Sequence, residues 1–183
     1  MKFKPFPQLK TERLVLRELL KSDWKRVSYL RTDPIVNQFV KRPNADTKEK
    51  AIDFIERTKL GIKNSETIQW TISLKNDFGM IGSICLWNFS EDRKTAEIGY
   101  DLDPIFHNTG IMNEAMTVVL KFGFNVLGFN KIEAFTQKNN EASTKLLRKN
   151  EFVLNTDRFD ESNPKNIIFE KFNPSLGSNS PTK

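Results

Sequence analysis

Three features are scarce in this sequence, and each scarcity excludes something. The chain has one cysteine, Cys85, so it cannot form an internal disulfide, and we expect a reducing compartment. It has one histidine, His107, which leaves little material for a histidine metal site or a Ser–His–Asp triad, and no metal is expected. No apolar run approaches the roughly 20 residues of a membrane span, and the N-terminal "MKFKPFPQLK" lacks the apolar core of a signal peptide. We therefore expect a cytoplasmic protein without membrane association.

Charge is abundant but dispersed. The 183 residues carry a formal net charge of +6, which favours anionic partners. The lysines are spread along the whole chain, and no run of five or more occurs. Dispersed charge is typical of a solvated surface, so a nucleic-acid partner is not expected. A hydrophobic content of 38% fits one globular domain. We predict a single domain over 1–172, followed by a disordered C-terminal tail over 173–183.

The hydrophobic pattern alternates between two periods. Ile68, Trp70, Ile72 and Leu74 alternate with polar residues, as a strand buried on one face requires. A turn at 76–79 and a further turn at 90–94 make this strand the first of three consecutive antiparallel strands. Further strands are predicted at 11–19, 131–137, 152–159 and 166–172. The sequence thus predicts an α/β fold with a mixed, mostly antiparallel sheet of about seven strands flanked by helices.

Helices are predicted in four places. Ser22 is expected to cap a short helix that stops before Pro34, and a second helix starts at Asp46. The third follows residue 110 and is ended by Gly128. The fourth spans 140–150.

The stretch "DLDPIFHNTGIMNEAM", residues 101–116, leads from a strand directly into a helix. The N-terminus of a helix offers free backbone N–H groups and the positive end of the helix dipole, so such a turn can bind phosphate. Gly110 stands where the backbone must bend, and Asn108 is the non-glycine residue best suited to a left-handed conformation. An ordinary connection, with Asn108 as a helix cap, explains the turn equally simply.

Two segments carry a resemblance to a known family. The element order, "AEIGYDLDP…TGIMNEAM" and "NNEASTKLLRKNEF" resemble the GNAT acetyltransferases, most closely the Rim-type ribosomal-protein N-terminal acetyltransferases. The resemblance covers roughly residues 10–172. The family pattern Gln/Arg-x-x-Gly-x-Gly/Ala falls on 107–112, where Gly110 matches but His107, Asn108 and Met112 depart from it. A second pattern, Asn-x-x-Ser with an apolar pair and a basic residue, falls on 140–149; the Gly-Phe that usually closes it is Glu151-Phe152 here.

The resemblance implies acetyl-CoA as co-substrate, bound in a central cleft of the sheet. Backbone N–H groups around the turn would hold the pyrophosphate, and the end of the preceding strand would pair with the pantetheine amides. Asn140 would bond the pantetheine arm. The implied cofactor-binding residues are Leu102, Asn108, Thr109, Gly110, Ile111, Met112, Asn113 and Asn140.

The resemblance also implies catalytic roles for two residues. Glu97 would act as general base on the amine, unless it is an ordinary solvent-facing carboxylate. Ser143 would protonate the leaving sulfur, unless it only supports the helix cap begun by Asn140. The tyrosine that many relatives carry on the last short helix falls on Leu147, so it is missing here.

Three other side chains near these positions are given structural roles. Cys85 is expected to be a buried structural thiol rather than a nucleophile. Trp87 and Phe89 are expected to pack in the core, with the lining of an acceptor pocket as their alternative.

The resemblance implies an N-acetyltransferase that moves acetyl from acetyl-CoA to a primary amine by direct attack. A protein N-terminal α-amine is the first acceptor class, and a small amine is the second. The acceptor pocket is expected around 32–46 and 153–165. Met112, Asn108 and the missing tyrosine motivate an alternative, an acyl-CoA-binding sensor of the same fold without catalysis. A basic nucleic-acid-binding module is a third possibility. The sequence does not show the oligomeric state, and a homodimer is the state that the resemblance suggests, because dimers are common among such enzymes.

Overall fold

An eight-stranded sheet forms the centre of the protein. The computed structural model describes residues 3–176. The strands, β1 to β8 in chain order, are Leu9–Lys10, Leu14–Arg17, Ile68–Leu74, Asp77–Trp87, Thr95–Leu102, Lys131–Gln137, Val153–Asn155 and Asn166–Phe172. Their spatial order is β1-β2-β3-β4-β5-β6-β8-β7. Every neighbouring pair is antiparallel except β5 with β6, which is parallel. The mixed, mostly antiparallel sheet is thus confirmed, and the two-residue strand β1, which was not predicted, raises the count to eight.

Four helices cover the sheet. They are α1 (Trp24–Thr32), α2 (Lys48–Lys63), α3 (Ile111–Asn125) and α4 (Glu141–Lys149). The larger apolar cluster joins α3 to the sheet and includes Trp70, which is fully buried. The smaller cluster joins α1 and α2 to Met80 of β4. Gly123 lets α3 approach closely, because a Cβ atom there would stand 2.9 Å from the Cδ1 atom of Ile132.

Several predicted boundaries need correction. The strand predicted at 11–19 is ordered as a strand only over Leu14–Arg17, and the one predicted at 152–159 only over Val153–Asn155. The hairpin turn is tighter than predicted, because Leu74 already pairs with Asp77. The strand β3 is covered on both faces, since Thr71 and Ser73 are as buried as the apolar residues between them.

The start of α1 differs from the prediction that Ser22 caps it. A 3-10 turn over Lys21–Asp23 precedes the helix, and the carboxylate of Asp23 accepts the Leu20 N–H at 2.8 Å. The same carboxylate forms a bidentate ion pair with Arg17, both N–O distances being 2.8 Å. Ser22 is exposed. The segment is therefore held by a buried ion pair and not by a hydroxyl cap.

The parallel pair β5–β6 splits in the middle of the sheet. Pairing is confined to Thr95–Glu97 opposite Lys131–Glu133. Beyond it, β5 continues to Leu102 and β6 to Gln137 without pairing to each other. This divergence produces a cleft in the sheet, next to the start of α3 and of α4.

The chain end was predicted to be disordered over 173–183. Residues Pro174–Leu176 form a 3-10 turn, and Leu176 N–H donates to the Asn173 carbonyl at 3.0 Å. The rest of the predicted tail lies outside the described residues.

Candidate active site

A cavity of about 1600 Å³ occupies the cleft where β5 and β6 diverge. Strands β4, β5 and β6 contribute to its wall, together with the α1–α2 connection and the segment 160–166. Parts of both segments expected to form an acceptor pocket, 38–42 and 160–165, line this cavity. Glu97, Asn140 and Ser143 also line it. Three of the predicted site residues, from two separate elements, therefore meet in one space.

Glu97 is a half-buried carboxylate on β5. It lies beside Glu133 in the parallel register and opposite Trp87 of β4. The Asn88 side-chain amide donates a long hydrogen bond of 3.4 Å to Oε2 of Glu97. Burial raises the pKa of Glu97 to about 7, and the charges of Glu133 and Asp160 act in the same direction. The carboxyl group can therefore exchange a proton near neutral pH.

Ser143 and Tyr100 form a pair of hydroxyl groups inside the cavity. The Tyr100 OH lies 2.7 Å from the Ser143 Oγ. The Ser143 backbone N–H donates to the Asn140 side-chain oxygen at 3.1 Å, so Ser143 supports the cap of α4 and also presents its hydroxyl to Tyr100. Burial raises the pKa of Tyr100 to about 12. The phenol thus stays protonated at neutral pH and is a potential proton donor.

Tyr100 was missed in the sequence. The tyrosine expected on the last short helix is replaced by Leu147, which is fully buried. Tyr100 comes instead from β5, where it lies on the same face as the apolar residues Ala96, Ile98 and Leu102. A polar tip on the otherwise apolar face of a strand was the available signal.

Cys85 and Trp87 line the cavity from β4. Burial raises the pKa of the Cys85 thiol to about 12, so it is protonated and a poor nucleophile. The Trp87 side chain is 44% exposed, so the prediction that it packs in the core is wrong. Phe89 does pack against the core, with its ring centroid 5.2 Å from that of Phe129. The two aromatic residues differ because β4 ends at Trp87 and Asn88, with φ +49°, turns the chain before Phe89.

The turn before α3 has the backbone that a phosphate site requires. Gly110 has φ +80° and Asn108 has φ +61°, so both adopt the left-handed conformation expected of them. The helix starts at Ile111, and the first N–H groups of a helix have no acceptor within it. The Met112 side chain is 9% exposed and belongs to the larger core cluster, so it leaves the outside of the turn open. Thr109 donates its hydroxyl to the Phe106 carbonyl at 2.6 Å.

Arg13 completes the surroundings of this turn. Its Nη1 donates to the Thr109 carbonyl at 3.0 Å, and its Nε pairs with Glu114 Oε2 at 2.6 Å. A Cβ atom on Gly110 would stand 3.4 Å from its Nη2. Any side chain at position 110 would therefore enter the space between the helix N-terminus and the Arg13 guanidinium group. With glycine there, this space fits the phosphate of a ligand.

His107 has a structural contact. Its Nε2 lies 3.0 Å from the Leu102 carbonyl oxygen, which ties the turn to the end of β5. Neither Leu102 nor the turn residues 107–113 line the cavity that contains Glu97. The site thus has two parts, a phosphate-compatible turn and a chemical cavity, joined by β5.

Residues 3–176 contain neither a candidate metal site nor a candidate membrane span. Within that range no three His, Cys, Asp or Glu side chains are grouped so that they could hold a metal ion. In the same part of the chain, no helix has the length and apolar character needed to cross a membrane.

Comparison with known proteins agrees with this geometry. The acetyltransferase (GNAT) domain matches residues 13–153. The uncharacterized N-acetyltransferase YoaA of Bacillus subtilis is 30% identical over 144 residues, which are 79% of this chain and 81% of that protein. The crystal structure of a ribosomal-protein-S5-alanine acetyltransferase from Vibrio fischeri is 20% identical with a TM-score of 0.78 and covers 92% of this chain and 97% of its own. A ribosomal-protein α-N-acetyltransferase solved in complex with coenzyme A is 17% identical with a TM-score of 0.75, and the match covers 91% of this chain and 98% of that one.

The matching domain spans most of the described sheet, including β5, the turn and α4. The chain therefore belongs to the GNAT family of acetyltransferases and is an acetyl-CoA-dependent acyltransferase of that family.

Proposed function

We propose that this protein acetylates a primary amine by direct attack of the amine on acetyl-CoA, with a protein N-terminal α-amine as the first acceptor class and a small amine as the second. The observation that carries the proposal is one cavity lined by Glu97 and by the Tyr100–Ser143 pair. A carboxylate that accepts protons near neutral pH and a phenol that keeps its proton are the two groups that the reaction needs.

Glu97 is the general base. Acetyl-CoA, when bound, supplies a thioester whose carbonyl carbon is open to attack, and the attacking amine must first lose a proton. An α-amine has a pKa of about 8 and a lysine side chain of about 10.4. The Glu97 pKa of about 7 lies closer to the α-amine, so proton transfer to Glu97 is less unfavourable from a protein N-terminus than from lysine. This match supports the α-amine as acceptor.

Tyr100 and Ser143 supply a proton to the departing thiolate sulfur as the carbon–sulfur bond breaks. Their hydroxyls are 2.7 Å apart, so a proton given up by one can be replaced from the other. Glu97 takes the first proton, which turns the ammonium group into the attacking amine. The second proton leaves the nitrogen once the carbon–nitrogen bond has formed and, through solvent, replaces the proton that the hydroxyl pair gives to the sulfur. Glu97 then releases its proton to solvent, so the products are the amide, the CoA thiol and one proton.

The turn binds the pyrophosphate. The first backbone N–H groups of α3 (Ile111, Met112, Asn113), those of Asn108, Thr109 and Gly110, and the Arg13 guanidinium are the donors that we assign to it. The end of β5 at Leu102 and the Asn140 amide would hold the pantetheine arm between the turn and the cavity. The buried Met112 side chain supports this assignment despite the departure from the family pattern.

The test combines binding and turnover. Calorimetric titration with acetyl-CoA, CoA and ATP is expected to show selective acetyl-CoA binding that persists at moderate salt. Thiol release should then appear with peptides that have a free N-terminus and be weaker with peptides whose only amine is a lysine side chain. Selective binding with no acetylation of any peptide or small amine would contradict the proposal and support an acyl-CoA-binding sensor.

A further inference from the structure

The cavity has two regions of opposite charge. Arg31, Arg42 and Arg57 line the region next to α1 and α2. Glu97 and Asp160 line the region next to β6 together with Lys165, and Glu133 beside Glu97 is paired with Lys131 and Arg158. The three arginines come from α1, the α1–α2 connection and α2, whereas Glu97 comes from β5. The cavity therefore offers a cationic end and, apart from it, the carboxylate proposed as base.

Two of the three arginines in the cationic region already have carboxylate partners. Arg42 bonds Asp101 through Nη1 at 2.7 Å, and its Nη2 donates to the Leu30 carbonyl at 2.9 Å. Arg57 pairs with Asp53 at 2.8 Å on the exposed side of α2. Their charges are largely neutralised by groups of the protein itself.

Arg31 is different. Its Nη2 donates to the Pro43 carbonyl at 2.9 Å, and its guanidinium lies over the Phe54 ring, 4.2 Å from the centroid. Within the described residues no carboxylate lies inside 4.0 Å of it. Burial lowers the pKa of Arg31 to about 10, and the positive charge of Arg42 acts in the same direction. Arg31 is thus a charged, partly buried group held in a fixed position without a counter-ion, an arrangement that a bound anion would stabilise.

We propose that the acceptor carries a carboxylate or phosphate that pairs with Arg31 while its amine lies at Glu97. This inference rests on the proposed function, which it makes more specific. The planar guanidinium, oriented by Phe54 and Pro43, is suited to bidentate pairing with either anion. The cavity of about 1600 Å³ has to hold the acetyl end of the cofactor as well as the acceptor, and it exceeds the roughly 300–1,000 Å³ typical of a single small-ligand pocket, which is compatible with an acidic N-terminal peptide as acceptor.

The experiment compares matched acceptors. The peptides Ser-Glu-Glu-Ala-Ala and Ser-Gln-Gln-Ala-Ala, both amidated at the C-terminus, differ only in charge, as do β-alanine and β-alaninamide. Wild-type kcat/KM is expected to be about tenfold or more higher for the acidic peptide, mainly through KM, as a charge-assisted hydrogen bond would give. Arg31→Met should abolish this preference and leave the neutral peptide within about twofold of wild type. Arg31→Lys should retain part of it.

The control is Lys25→Met, which removes an exposed charge from the same helix outside the cavity and should leave the preference intact. Equal rates within both acceptor pairs in wild type, or an equal loss for the charged and the neutral acceptor in Arg31→Met, would overturn the inference. A charge preference confined to β-alanine would replace the peptide by a small anionic amine.

A binding measurement separates this inference from the proposed function. Calorimetry of the same two peptides with protein saturated with CoA needs no turnover. Tighter binding of the acidic peptide that is lost in Arg31→Met supports the anion site even if no acetylation occurs. Equal binding of both peptides overturns the anion site even if acetylation does occur.

Discussion

At the scale of single residues, the chemistry depends on groups whose protonation is set by burial. The pKa values of Glu97 and Tyr100 are both raised, and in both the largest cause is the loss of water around the charged form. The two raised pKa values have different consequences for proton transfer. The carboxyl group becomes able to exchange a proton near pH 7, whereas the phenol keeps its proton at that pH and becomes a weaker acid.

The raised pKa of Glu97 predicts a pH-dependent stability difference. The folded value of about 7 exceeds the ordinary 4.5, so wild type loses stability as pH rises through this interval. Glu97→Gln has no titrating group at this position, so its free energy of unfolding should increase relative to that of wild type as the pH rises. At this partly solvated site we expect a gain of about 1–2 kcal/mol between pH 4.5 and 8. Thermal unfolding at both pH values measures it, and an unchanged difference between the two proteins would contradict the raised pKa.

The hydroxyl pair predicts non-additive losses. Tyr100→Phe and Ser143→Ala should each lower kcat about 10- to 100-fold, because each interrupts proton supply to the same sulfur. The double variant should be hardly slower than the worse single one. Acetyl-CoA affinity measured by calorimetry serves as the control and should change little. Fully multiplicative losses would show that the two hydroxyls act separately.

At the scale of elements, the site depends on where strands and helices end. The turn before α3 combines two left-handed residues with a helix N-terminus, and Arg13 of the β1–β2 connection is fixed beside it by Glu114. The sequence predicted the two left-handed positions from residue type. It did not reveal Arg13, which lies about a hundred positions away and meets the turn only through the pairing of the first strands with the sheet.

Two glycines provide a matched test of the turn. Gly110 and Gly128 have φ +80° and +73°, so valine at either position imposes a similar left-handed strain of about 1–2 kcal/mol or more. A Cβ atom at position 128 would meet no atom within 4 Å, so Gly128→Val should lower stability only. Gly110→Val should also lose acetyl-CoA affinity by about tenfold or more. Calorimetry on both folded variants decides, and equal affinities would remove the phosphate site from this turn.

The start of α1 provides a test of a buried ion pair. Asp23→Ala leaves the Arg17 guanidinium buried without its partner and should lower the free energy of unfolding by about 3–5 kcal/mol. Ser22→Ala, one residue earlier and exposed, should stay within about 0.5 kcal/mol of wild type. Urea denaturation measures both. A larger loss from Ser22→Ala would restore the hydroxyl cap predicted from the sequence.

At the scale of the whole molecule, the sequence predicted the order of elements well because hydrophobic periodicity is local. The alternation from Ile68 to Leu74 and the helical spacing after Ile111 correspond to β3 and α3. Contacts between distant segments were not predictable in this way. Tyr100 meets Ser143 because the sheet splits between β5 and β6, and Arg31 meets Phe54 because α1 packs against α2. The expected homodimer stays a prediction.

The central claim is that Glu97 is the base for acetyl transfer, and the pH dependence of kcat/KM with an N-terminal serine peptide tests it most directly. Wild type should rise with pH through an inflection near 7, because only the ionised carboxylate accepts a proton. Glu97→Gln should lose about 10²- to 10⁴-fold and show no inflection there, with unchanged acetyl-CoA affinity. A variant that keeps both the rate and the inflection would assign the proton acceptor to another group and contradict the account.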